Sequence, residues 1–60
     1  MTQTEVLLTV PEVAELLGVN RSWVQRAVKR GEIPNLRLGR YIRFRRESVD
    51  AWIKEREQNV

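Results

Sequence analysis

The stretch VAELLGVNRSWVQRAV, residues 13–28, sets Gly18 four residues after Ala14 and Val24 six residues after Gly18, with Asn20 and Arg21 opening a second periodic segment. Ala14 is small enough to let two helices cross closely. Gly18 can adopt the left-handed conformation that ends a helix without a Cβ penalty. Val24 supplies an apolar contact between the second helix and the first, just after the chain has turned through roughly 90–120°. The spacing reads as a helix-turn-helix. An ordinary helical hairpin with a solvated outer face also uses a glycine turn, so charge has to separate the two readings.

Upstream, Thr9 followed three residues later by Glu12 forms a capping box, and Leu8 with Val13 has the spacing of a hydrophobic staple across it. Pro11 falls in the first turn, where its missing N–H costs nothing. Val10, Val13, Leu16 and Leu17 are expected to form one apolar face, and Gly18 stops the helix. The second helix repeats the device with Asn20 as cap and Val19 and Val24 as staple, and is expected to end at Gly31. At 100° per residue, Trp23, Val24, Ala27 and Val28 fall on a core side, and Ser22, Gln25, Arg26 and Lys29 on the opposite side.

Downstream, Ile33-Pro34-Asn35 breaks the helical period. Leu36, Leu38, Ile42 and Phe44 then alternate with Arg37, Arg43 and Arg45, which is the period of a strand. Two hairpins are open. A two-residue Gly39-Arg40 loop pairs Leu38 with Tyr41 and puts Leu36 opposite Arg43, mixing the faces. A three-residue Gly39-Arg40-Tyr41 loop pairs Leu38 with Ile42 and Leu36 with Phe44, gathering all four apolar side chains on a buried face, and is preferred here although glycine in first place is not its usual signature. Arg40 is at the tip in both. A last helix is expected over about residues 46–57, with Val49, Trp52 and Ile53 facing the core and Phe44 stapling its start to Val49. Arg45 makes a poor cap there, while Glu47 and Asp50 favour the helix dipole. The tail after Glu57 has no evident reason to be ordered.

Charge is segregated along these elements. Residues 1–20 carry Glu5, Glu12 and Glu15 and no base, a net of −3. Residues 21–46 carry nine bases against Glu32 alone, a net of +8. Residues 47–60 return to −2, so the overall +3 hides a concentrated positive block. Such a block is the electrostatic footprint of a polyanion partner. On the second helix of a helix-turn-helix, an acid-free polar face that starts at a helix N-terminus points to groove contact with double-stranded DNA.

Sixty residues make one domain, 1–60, with an ordered core over about 7–57 and only about 3–5 kcal/mol of stability. Without cysteine or histidine there are no disulfides, and the usual zinc ligands are missing, so neither cofactor nor metal is expected. No apolar run approaches a membrane span and no signal-peptide pattern is present, which makes a cytoplasmic, nucleoid-associated protein the expectation. Catalysis would fall to carboxylate, Lys or Tyr groups whose positions capping and solvation already explain, and an enzyme is not expected. The rival from another class is a protein-interaction module, using the acidic exterior around Glu12 and Glu15 or the mixed-charge last helix. Duplex affinity with a steep salt dependence separates the two.

Two helices, a basic hairpin and a closing helix give an α+β, mainly α fold: a winged helix-turn-helix with a two-stranded β-hairpin wing and a C-terminal helix. Residues 7–53, LLTVPEVAELLGVNRSWVQRAVKRGEIPNLRLGRYIRFRRESVDAWI, resemble the excisionase-type DNA-binding domains, the recombination directionality factors, which are related to the DNA-binding domains of MerR-like regulators. Gly31-x-Ile33-Pro34, Leu38-Gly39-Arg40 and Asp50-x-Trp52 are the more specific parts. The resemblance implies a second helix in the major groove, a wing along the minor groove and Arg40 as the minor-groove arginine. The candidate DNA-contacting residues are then Asn20, Arg21, Ser22, Gln25, Arg26 and Lys29 on the helix, with Arg37, Gly39, Arg40, Tyr41, Arg43 and Arg45 on the wing. It also implies tandem sites beside a phage or mobile-element attachment site, cooperative self-association on DNA, DNA bending, and an integrase or recombinase partner directed toward excision. A small MerR-like transcriptional regulator is the alternative, although the chain shows no coiled coil or effector domain.

Overall fold

Thr9 starts the first helix as its spacing predicts. In the computed structural model, which describes residues 7–57, its Oγ1 accepts from the Glu12 N–H at 3.3 Å while Glu12 Oε1 accepts from the Thr9 N–H at 2.8 Å. Both halves of the capping box are closed. Helix α1 runs Val10–Leu17 and ends at Gly18, whose φ of 73° is the left-handed conformation that glycine adopts without strain. The Val19 N–H then returns to the Ala14 carbonyl, and the chain enters α2, Arg21–Lys29, through Asn20. Ala14 and Val24 are both buried, as a close crossing of α1 and α2 requires.

Beyond α2, the chain forms β1 (Leu36–Leu38), β2 (Tyr41–Arg43) and α3 (Arg46–Arg56). The antiparallel register pairs Leu36 with Arg43, Arg37 with Ile42 and Leu38 with Tyr41. This is the two-residue Gly39-Arg40 loop, and it corrects the preferred three-residue reading. Gly39 has a φ of 62° while, among the described residues, no non-glycine residue has a positive φ, the sign pattern of a type II′ turn with glycine first. Turn chemistry therefore outweighs the gathering of apolar side chains. The hairpin puts Arg37 and Ile42 on one face and Leu36, Leu38, Tyr41 and Arg43 on the other, so the four apolar residues do not share a buried face. Leu38 is 51% exposed and Leu36 only half-buried.

Phe44 continues the Ile42 face inward and is fully buried. Its backbone pairs with Leu8 in both directions, Leu8 N–H to Phe44 oxygen at 2.8 Å and Phe44 N–H to Leu8 oxygen at 2.9 Å. Leu8 thus ties the entry of α1 to the base of the hairpin. Around Phe44 the core gathers Val13, Ala14, Val24, Ala27, Val28, Ile33 and Val49, with Trp23, Trp52 and Ile53 packed against it half-buried. No polar side chain is buried among the described residues. Helix α3 begins after Arg45 without a side-chain cap, and Trp52 Nε1 anchors it by donating to the Glu32 carbonyl at 2.7 Å.

Leu16 departs from the expected apolar face, at 41% exposed. At 100° per residue, Val10, Leu17, Val13 and Ala14 centre the buried side, and Leu16 lies about 110° from that centre. The expectation for the tail past Glu57 falls on residues outside those described. Phe44→Ala should cost about 3–5 kcal/mol and abolish the cooperative thermal transition of so small a domain. Leu16→Ala should cost less than about 1 kcal/mol, and circular-dichroism melts of both variants check the contrast.

Candidate nucleic-acid interface

One side of α2 is consumed by the core through Val24, Ala27 and Val28, so the helix leaves Arg21, Ser22, Gln25, Arg26 and Lys29 exposed. The hairpin then adds a second wall. Ser22, Gln25, Arg26, Val28 and Lys29 from α2 line a depression of about 500 Å³ together with Arg37 and Ile42 from the inner hairpin face. Three of these seven residues are cations and none is an acid. Glu32, the lone acid of the positive block, faces elsewhere: its Oε2 accepts from Arg30 Nε at 3.1 Å. The depression therefore carries a positive field into a concave, solvent-open surface, the arrangement that concentrates a polyanion.

The other candidate residues are distributed around this centre. Asn20, Arg21 and Ser22 border a second depression with Pro11, Ala14, Glu15 and Val19, where α1 and α2 cross. Ser22 belongs to both. Asn20 is committed to structure, since its Oδ1 accepts from the Trp23 N–H at 2.9 Å and caps α2. Gly39 and Arg40 form the hairpin tip, with Arg40 Cζ 5.7 Å from the centroid of the Tyr41 ring. Arg43 sits on the outer hairpin face with its Cζ 5.4 Å from that ring, and its Nη1 donates to the Ile42 carbonyl at 2.9 Å. Arg45 stands at the start of α3, where it lines a small depression with Pro34, Asn35, Leu36 and Ser48.

The wing candidates thus separate by face, Arg37 toward α2 and Tyr41 with Arg43 away from it. Sequence reasoning did not include Val28 and Ile42 in the site because both were assigned to the core. The signal was present: once the turn holds two residues, Ile42 and Arg37 must share a face. Among the described residues, no group of three acidic, histidine or cysteine side chains is placed to hold a metal ion, and no helix is long and apolar enough to cross a membrane.

Residues 7–57 match the model of the helix-turn-helix domain family. The chain belongs to this helix-turn-helix family. Similar proteins include a Mycobacterium tuberculosis protein, in two strains, named "Putative DNA-binding protein", which is 46% identical over 43 residues covering 72% of this chain and 55% of that protein. Another is a Saccharopolyspora erythraea protein named "Probable excisionase", 44% identical over 47 residues covering 78% of this chain and 48% of that protein. The excisionase-type resemblance seen in the helix-turn-helix sequence is thus matched among its relatives. The chain spans about half the length of these curated relatives. No solved structure matches it.

Because Asn20 caps α2, Asn20→Ala should lower stability by about 1 kcal/mol, and Asn20→Asp should retain the wild-type melt since α2 has no acid in its first turn. Equal thermal melts for Asn20→Ala and wild type would instead free Asn20 for the groove.

Proposed function

We propose that this domain binds double-stranded DNA, with α2 in the major groove and the β1–β2 hairpin along the adjacent minor groove. The observation that carries the reading is the acid-free depression in which Ser22, Gln25, Arg26 and Lys29 of α2 meet Arg37 of the wing. An α-helix with its side chains is about 10–12 Å across, which fits a major groove about 12 Å wide. With the helix seated there, the phosphate strand between the two grooves runs between α2 and the wing, where Lys29 and Arg37 neutralise it. Gln25 and Arg26 then face base edges: Gln is suited to the N6/N7 pair of adenine and Arg to the O6/N7 pair of guanine. Arg40 at the tip enters the minor groove, where a narrow A·T-rich segment has an enhanced negative potential.

The domain's role on DNA is that of an excisionase: a non-catalytic architectural protein that binds tandem sites near an attachment site, bends the DNA and directs an integrase toward excision. The similarity to a protein named as an excisionase supports this role, as does the resemblance of residues 7–53. A neighbouring copy on DNA and the integrase are its protein partners. In reconstituted recombination with a cognate integrase and its attachment sites, the domain should raise excision and depress integration. No change in either direction would leave a DNA-binding regulator in its place.

If five to seven phosphates are contacted, log K against log salt should slope at about −4 to −6. A flat response in duplex titrations would contradict DNA binding. Gln25→Ala or Arg26→Ala should leave the melt nearly unchanged and weaken the preferred site by about 1–3 kcal/mol. Arg40→Ala should also fold normally, and its loss of affinity should be greatest where the flanks are A·T-rich.

A further inference from the structure

The outer face of the wing is unexplained by the core and by the depression. Leu38 is 51% exposed and Tyr41 53% exposed, and the register makes them direct partners on either side of the Gly39-Arg40 tip. About half of each side chain stays in water, and neither packs against the core. Their surroundings are cationic: the guanidinium groups of Arg40 and Arg43 lie 5.7 and 5.4 Å from the centroid of the Tyr41 ring. No acid occurs between Glu32 and Glu47. An apolar pair set within fixed positive charge complements a surface that is anionic at its rim and apolar between, which describes a minor groove with phosphates outside and sugars and base edges inside.

We propose that Leu38 and Tyr41 form an apolar wedge that opens a base step in the minor groove, the physical device by which this wing bends DNA. The proposal rests on the DNA-binding reading and adds to it a pair of residues and a deformation. Arg40 enters the opened groove, Arg43 holds a phosphate at its edge, the Tyr41 ring stays against both guanidinium groups, and Leu38 meets the unstacked step. Partial unstacking costs a few kcal/mol, which the extra backbone contacts along bent DNA offset. Affinity then depends on how easily the flanking step unstacks, so pyrimidine–purine steps are favoured at a position where the protein donates no hydrogen bond to a base.

The test uses the full chain on a duplex carrying a single site, which removes cooperative effects. 2-Aminopurine is placed at successive steps on the wing side, and bending is read by circular permutation. Wild type should brighten the probe at one step and bend the duplex. Leu38→Ala with Tyr41→Ala should lose both signals and about tenfold in affinity, with a shallower salt slope because the phosphate contacts made only along bent DNA are lost. Leu38→Ala alone, which retains the ring and both arginines, should lose most of the probe signal, and thermal melts should show every variant folded. Wild-type bending and probe signal retained in the double variant would overturn the wedge while leaving DNA binding intact. Absence of salt-dependent duplex binding by wild type would overturn the underlying reading itself. Normal single-site bending by the double variant, with cooperativity lost on a two-site duplex, would reassign this face to a second copy, whose exposed Leu16 lies beside Glu12 and Glu15.

Discussion

Phe44 is the residue on which the rest of the structure depends. Its side chain is fully buried, and its backbone exchanges two hydrogen bonds with Leu8, so one position joins the chain's entry into α1, the base of the wing and the core beneath α2. A hairpin of two three-residue strands has little stability by itself. Docked through Phe44 and Ile42, it is held beside α2 at a fixed distance, and only then do Arg37 and Lys29 share one depression. The positive block resists this arrangement, because bringing like charges together destabilises the compact state. The small apolar core and the Trp52 tether to the Glu32 carbonyl oppose that repulsion. A bound polyanion would relieve it, so binding and folding reinforce each other.

The elements legible in the sequence were those governed by local chemistry. The Thr9–Glu12 box, the left-handed Gly18 and the Asn20 cap each involve residues no more than five apart, and each forms as its spacing predicts. The orientation of α2 also follows its sequence, because four core-side positions on one helix leave little choice. The hairpin departs from the sequence expectation where a global preference competes with a local one. Burying Leu36 and Leu38 with Ile42 and Phe44 asked for a three-residue loop, whereas Gly39 in first place asked for a two-residue turn, and the turn set the register. With strands of three residues, exposing Leu38 costs too little to shift it. The expected apolar face of Val10, Val13, Leu16 and Leu17 includes Leu16 by its spacing from Val13, yet its angle on α1 points away from the buried side.

For the candidate site, the α2 residues could be read from periodicity, but their meeting with Arg37 could not. That meeting depends on the hairpin register and on Phe44, both tertiary features. The division of the wing into an inner face with Arg37 and Ile42 and an outer face with Leu38, Tyr41 and Arg43 follows from the same register. Membership of the helix-turn-helix family agrees with this architecture over residues 7–57. The residues that differ in role within it, Arg37 inside and Arg43 outside, are alike in charge and distinguishable only by the face they occupy.

The central claim is that α2 and the wing form one continuous DNA-facing surface. Backbone amide chemical-shift mapping of the labelled domain, titrated with a duplex carrying its preferred site, tests this most directly. Perturbations should concentrate over residues 20–29 and 36–43 together, and titrate with a single affinity, while the outer sides of α1 and α3 stay unperturbed. Perturbations confined to Glu12, Glu15 and Leu16 or to α3, or separate affinities for α2 and the wing, would contradict it.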